Sequence, residues 1–205
     1  MSESRADEEP REDHLINAIK AEIWDRAFYA SATAAIFGYR AENLKRRLQL
    51  LTFVALAVPI VVGGLALAYG AGFRFLHLAV AIGALIGLVQ LVISLWSVVA
   101  TWVEEYGYSA ASLIDNSQIA QELEELANEP LELHELRHRY VALKARDTAR
   151  RAQDYTHGVT DQEKRRGHRS ALRDRGRKCV GCGEIPTSMK PSACGVCGDF
   201  KNRRI

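Results

Sequence analysis

Apolar residues recur at three- and four-residue steps near the start of the chain. Ile19, Ile23, Ala27, Ala30, Ala34, Phe37, Ala41, Leu44 and Leu48 fall on one face of a 3.6-residue helix. The stripe then becomes a solid run. No charged residue occurs from position 48 to 73, and after Arg74 none occurs until Glu104. About 20 apolar residues in a helix span the hydrocarbon core of a bilayer. The two runs therefore predict membrane helices over residues 48–70 and 76–103, the first continuous with the amphipathic helix ahead of it. The segment Gly70-Ala71-Gly72-Phe73-Arg74-Phe75 is long enough only to turn, which makes the helices antiparallel neighbours with Phe73 and Phe75 near the interface. Periodicity resumes at Ala110, Leu113, Ala120, Leu123 and Ala127, predicting a returning helix packed on the first. Pro130 ends or bends it, and Leu133, Leu136, Tyr140 and Leu143 mark a further helix to about Tyr155. No alternating strand pattern appears before the cysteines.

Within the second membrane helix, Gly83, Gly87, Gln90, Ser94, Ser97 and Thr101 follow at alternating steps of four and three, forming one small, polar face. Two readings of that ridge stand. Gly83-x-x-x-Gly87 permits close helix packing, with the amide and hydroxyls hydrogen-bonding between helices. Alternatively, copies of the chain around an axis would use Gln90, Ser94, Ser97 and Thr101 to line a water-filled pore. Pro59 and Gly63-Gly64 in the first helix are likewise either packing features or a hinge.

Charge adds orientation. Lys45, Arg46 and Arg47 precede the first membrane helix, whereas the turn offers Arg74 alone. The positive-inside bias puts the amino terminus in the cytoplasm, and two crossings return the carboxyl terminus there. A cleaved signal peptide is a poor alternative, because the apolar run begins late and follows a charged segment. Between Glu104 and Glu135 every charged residue is acidic, and the sign then reverses. Residues 137–178 hold fourteen Lys or Arg against five acids, a local excess of +9. The helix in that block displays Arg137, Arg139, Lys144, Arg146, Arg150 and Arg151. Such a stripe is a solvated surface, a phosphate site for nucleotide or nucleic acid, or a lipid-headgroup contact.

The four cysteines form two knuckles, Cys179-Val180-Gly181-Cys182 and Cys194-Gly195-Val196-Cys197, separated by eleven residues. Two Cys-x-x-Cys pairs supply four thiolates at tetrahedral reach, which points to structural Zn2+, with iron or a dithiol pair as alternatives. Gly183 and Gly198 follow each second cysteine, where a tight turn aims backbone amides at sulfur. Lys178, Lys190, Lys201, Arg203 and Arg204 surround the knuckles. The chain is expected not to be an enzyme. It has no Walker-type loop, nucleophile elbow or His-Glu-x-x-His, and His134 and His138 lack a third ligand in view.

The long amino-terminal helix, the tight hairpin after Lys45-Arg46-Arg47 and the returning helix resemble, over residues 12–155, the SLATT family of bacterial two-helix membrane effectors. The Cys179-x2-Cys182-x11-Cys194-x2-Cys197 ending is similar to the mobilome proteins named for a CxxCx11CxxC tail. The first resemblance implies a pore-forming effector of anti-phage defence in the inner membrane. It also implies homo-oligomers, for which a tetramer is the simplest guess. It further implies gating by a nucleotide or short single-stranded DNA made upstream by a nucleotidyltransferase, as for Hailong-type channel effectors. The resulting expectation is an all-α membrane protein. It has a disordered terminus over 1–11, a helical domain over 12–155, a basic linker over 156–178 and a small zinc ribbon over 179–205. A membrane-tethered zinc-ribbon adaptor for nucleic acid or protein, without conductance, is the alternative.

Overall fold

The computed structural model describes residues 3–69 and 76–201, without the side chains of residues 3–11, 66, 69 and 76. The turn containing Phe73, Arg74 and Phe75, and the terminal Arg203 and Arg204, lie outside the described residues. The element order is α1 (Glu3–Tyr69), α2 (Leu76–Val99), α3 (Trp102–Asn128), α4 (Leu133–Thr156) and α5 (Asp161–Asp174). Helix α1 starts at Glu3, within the stretch expected to be a disordered terminus. The chain divides into a unit of residues 1–38 and 110–205 and a unit of residues 39–109.

In the first unit the apolar stripes of α1, α3 and α4 meet in one core. Ile23, Ala27 and Ala30 pack with Ile119, Ala120, Leu123, Leu126 and Ala127 and with Leu136 and Tyr140. Alanines on the α1 stripe permit close helix approach, while the branched residues opposite supply apolar area, each about 1.5–3 kcal/mol when fully buried. Pro130 separates α3 from α4, since its ring removes a backbone donor, and Leu131 folds back against the core.

The α4 stripe does not end at Leu143. Continuing the same steps places Asp147 and Asp154 on the buried face, and both are nearly sealed from solvent. Asp147 accepts from Arg26 at 2.6 Å and from Arg151 at 2.9 Å. Asp154 accepts from Ser112 at 2.7 Å, Asn116 at 2.7 Å and Arg150 at 3.0 Å. Buried carboxylates persist only when charge and lone pairs are matched in this way.

Helix α5 lies inside the stretch that its composition marks as a basic linker. Its start is set by a capping box: the Thr160 hydroxyl accepts from the Glu163 amide, and the Glu163 carboxylate accepts from the Thr160 amide at 2.9 Å. Gly167 seats it on α1, because a Cβ there would lie 2.5 Å from the Ala32 carbonyl oxygen and 2.5 Å from Ile36 Cγ1.

The expected zinc ribbon is corrected by the structure. Among the described residues there is no strand, and residues 179–201 are turns and irregular chain. The spacer between the knuckles carries Pro186 and Pro191, neither of which can donate to a ladder. Turns hold the segment instead, with the Cys179 amide donating to the Glu184 carbonyl and the Ser192 amide to the Gly198 carbonyl, both at 2.9 Å.

In the second unit two helices are long and apolar enough to cross a membrane. Leu50, Phe53, Leu56, Ile60, Leu85, Leu88, Leu95 and Val98 are all exposed on them. Soluble proteins rarely expose so much contiguous apolar surface, which associates the chain with a membrane. The second apolar helix ends earlier than its sequence predicts. Thr101 has φ 49°, a left-handed conformation costly for a β-branched residue, and it breaks α2 from α3.

Candidate metal centre

Each knuckle is closed by the same backbone turn: the Gly183 amide donates to the Cys179 carbonyl and the Gly198 amide to the Cys194 carbonyl, both at 2.8 Å. The two glycines serve different needs. Gly183 has φ +75°, whereas a Cβ on Gly198 would collide with Ser192. The turns also aim amides at sulfur. The Gly181 amide lies 3.4 Å from Cys179 Sγ, and the amides of Cys197 and Val196 lower the Cys194 thiol to about 7. Burial pushes Cys197 the other way, well above the usual thiol range.

The four sulfurs lie within 4.8 Å of one another. Cys179 and Cys194 are separated by 3.9 Å between Sγ atoms, as are Cys182 and Cys197. A tetrahedral shell with Zn–S of about 2.3 Å has S···S edges of about 3.8 Å, so the donor set fits Zn2+. The residues that would hold the ion are Cys179, Cys182, Cys194 and Cys197. Four thiolates close the shell, so bound zinc would supply folding free energy and cross-linking there.

One cysteine of each knuckle faces the helical unit. Cys179 and Cys197 are 1% exposed and pack with Phe28 and Ala32 of α1 and Ala171 and Leu172 of α5. Cys182 is exposed and Cys194 half-buried. Around this contact, His168 meets the Phe28 ring edge-on at 5.0 Å between centroids, and Arg177 lies over the same ring at 5.2 Å. Burial, and then Arg177, lower the His168 pKa and favour its neutral form. The centre is thus part of the helical unit. Sequence periodicity missed this because α5 contributes few apolar side chains, although Thr160-Asp161-Gln162-Glu163 is a legible helix start.

Arg169, which the sequence shows only as one cation of the basic block, also belongs to the centre. It is 9% exposed. Its Nε donates to the Ser188 carbonyl at 2.8 Å, and its Nη1 reaches the Cys197 carbonyl at 3.3 Å, Ser192 Oγ at 3.4 Å and Cys197 Sγ at 3.8 Å.

The basic stripe of α4 meets the chain's own acids. Arg139 pairs with Glu129 at 2.6 Å, Lys144 with Glu22 at 2.8 Å and Arg146 with Glu122 at 2.7 Å. Arg150 pairs with Asp115 and Asp154, and Arg151 with Asp147. Arg137 is exposed on the outer face of α4, beside His134 and His138. Further along, Arg165 pairs with Asp199, Arg175 with Glu124 and Arg177 with Asp25. The reversal of charge sign along the sequence reflects acids of α1 and α3 lying against cations of α4 and of the segment that follows α5.

Two residues of the ridge on α2, Gly83 and Gln90, contact α1, whereas Gly87 is exposed. A Cβ on Gly83 would meet Val62 at 3.0 Å, and Gln90 Nε2 donates to the Leu51 carbonyl at 3.2 Å. Gly83, Gly87 and Gln90 share a groove with Ala55, Val58, Pro59 and Val62. Ser97 donates to the Ser94 carbonyl at 2.8 Å within α2, and Thr101 lies beyond the helix end. Of the expected channel with a zinc ribbon, the ribbon is overturned, since the described part of the tail is strand-free. Gly83 and Gln90 meet α1, and most of the α4 cations are paired with the chain's own acids.

No curated protein and no solved structure matches the chain. Residues 20–200, from the core of α1 through both knuckles, match the family described as mobilome CxxCx(11)CxxC protein. With the match spanning most of the sequence and the two knuckles assembled into one four-thiolate centre, the chain belongs to the mobilome CxxCx(11)CxxC protein family.

Proposed function

We propose that this chain is a membrane-tethered adaptor. The apolar hairpin anchors it with both termini in the cytoplasm, and the metal-organised helical unit binds a protein partner without the chain conducting ions. The observation that carries the reading is the hydrogen bond from Gln90 to the Leu51 carbonyl, with Gly83 against Val62 beside it. A pore needs those groups turned to water around an axis. Committed to α1, they make a packed anchor. Lys45, Arg46 and Arg47 against the single Arg74 support the orientation. That orientation also puts the four cysteines where thiols stay reduced. A protein partner is favoured over nucleic acid because phosphates would have to displace the carboxylates already paired with Arg139, Lys144, Arg146, Arg150 and Arg151.

The test uses the full chain reconstituted in liposomes, alongside a variant whose residues 48–99 are exchanged for an unrelated two-span hairpin. The expected results are no ion flux above empty vesicles, and the same cross-linked partner in cells for both proteins. Flux that Gln90→Leu abolishes would overturn the anchor reading in favour of a pore. Retention on single-stranded DNA at physiological salt, lost in Arg150→Gln, would replace the protein partner by nucleic acid.

A further inference from the structure

A closed shell of four thiolates around Zn2+ carries a net charge of about −2, and here half of its sulfurs are buried. Burying net charge is costly unless donors or cations of opposite sign face it. Exposed Cys182 has water for that purpose, and Cys194 has the amides of Cys197 and Val196. Cys179 has the Gly181 amide. Cys197 is sealed against α5, and the cation beside it is Arg169, with Nη1 3.8 Å from the sulfur.

Arg169 has a matching problem of its own. Its neighbours along the chain, Arg165, Arg173, Arg175 and Arg177, each pair with a carboxylate. Among the described residues Arg169 pairs with none. Its partners are the carbonyls of Ser188 and Cys197, the Ser192 hydroxyl and the Cys197 sulfur. A guanidinium that is 9% exposed and faces only neutral oxygens would be an uncompensated buried charge. Placed against a dianionic metal shell, the two unmatched charges answer each other.

We infer that Arg169 is the counter-ion of the metal centre: a positioning residue on α5 that offsets the charge of the thiolate shell and makes metal binding and α5 docking depend on each other. The dependence is reciprocal, as any coupling between two binding equilibria must be. Metal loading holds α5 against the knuckles, and α5 raises the affinity for metal. Cys197 and Ser192 are reached by the same nitrogen, so the guanidinium also fixes how the second knuckle sits. The inference rests on the metal centre alone and holds whether the hairpin is an anchor or a pore.

The experiment measures zinc affinity by chelator competition in the full-length protein in detergent, for wild type, Arg169→Gln, Arg169→Lys and the control Arg165→Gln. Arg169→Gln is expected to weaken zinc binding 10–100-fold, the range for outer-shell partners of metal ligands. Arg169→Lys should recover part of that loss, and Arg165→Gln should stay within about twofold, since Arg165 reaches Asp199 and not sulfur. The charge argument has its own readout. Cys182→His replaces an exposed thiolate by a neutral ligand and lowers the negative charge of the shell by one. In that background Arg169→Gln should cost a smaller factor than in wild type, and in the Co2+ form it should shift the sulfur-to-metal charge-transfer band. Zinc affinity of Arg169→Gln within twofold of wild type would overturn the inference. So would an equal penalty in both backgrounds, which would make Arg169 a packing residue. If Arg169→Gln does not fold, the same comparison of backgrounds is made with Arg169→Met, which removes the charge but keeps the length of the side chain, and an equal penalty again overturns it.

Discussion

Arg26 on α1 donates through Nη1 to Asp147 Oδ2 on α4 across 2.6 Å, joining positions 121 apart in the chain. The Asp147 side chain is 0% exposed, and its other oxygen accepts from Arg151 Nε at 2.9 Å. A carboxylate so placed fixes the register of two helices. Apolar contacts alone would tolerate slippage along the shared stripe.

Removing that charge should therefore cost more than removing one of its partners. Asp147→Asn is expected to lower the unfolding free energy by about 3 kcal/mol, because two cations lose their common partner. Arg26→Gln should cost less, since Arg151 remains. Urea or thermal unfolding in detergent measures both, and equal losses would contradict the ordering.

Acid should act in part through Glu22. Its hydrogen bond with Lys144 and then the nearby Tyr140 hydroxyl, assisted by Arg26, hold its carboxyl at about 2 against an ordinary 4.5. A carboxyl depressed in the folded state stabilises it above the ordinary value, and that contribution is lost as pH falls from about 4.5 toward 2. The Glu22 side chain is 46% exposed, so the effect is modest and weakens with salt. Melting curves of wild type and Glu22→Gln should differ at neutral pH and converge across that interval.

Gly167→Ala should loosen α5. The added methyl meets the Ala32 carbonyl oxygen and Ile36 at 2.5 Å, an overpacking that costs about 1–3 kcal/mol. Gly107→Ala on α3 meets nothing within 4 Å, and removing a mid-helix glycine there should stabilise by about 0.5–1 kcal/mol. Opposite shifts in melting temperature are the expected pair of results.

Metal removal should be felt beyond the knuckles. Because Cys179 and Cys197 pack on Phe28, Ala32, Ala171 and Leu172, chelation is expected to raise amide exchange in α5 and around Phe28 as well as over residues 179–201. Gly198→Ala should do the same at full metal supply and lower zinc content below one per chain, since its methyl collides with Ser192. Exchange confined to the knuckles after chelation would mean that the centre is mechanically separate.

Periodicity and motif were enough for the parts whose signal is local. The stripe from Ile23 to Phe37, the apolar runs, the stop at Pro130 and the four thiol ligands each follow from spacing, because helix pitch, bilayer thickness and tetrahedral reach are fixed lengths. Partner choice is not local, and there the sequence was silent or misleading. Composition shows fourteen cations in a row of helices but not that Glu22, Asp115, Glu122, Glu124 and Glu129 lie against them. Spacing puts Gln90 on a polar ridge but not that Leu51 accepts from it. Paired cysteine knuckles suggest a ribbon, yet Pro186, Pro191 and the contact with α5 leave turns and a buried guanidinium in its place. Distances along the chain determine which elements form and which atoms can share an ion. Which charges neutralise one another is decided only when burial removes water as the competing partner, and that is a property of the packed chain.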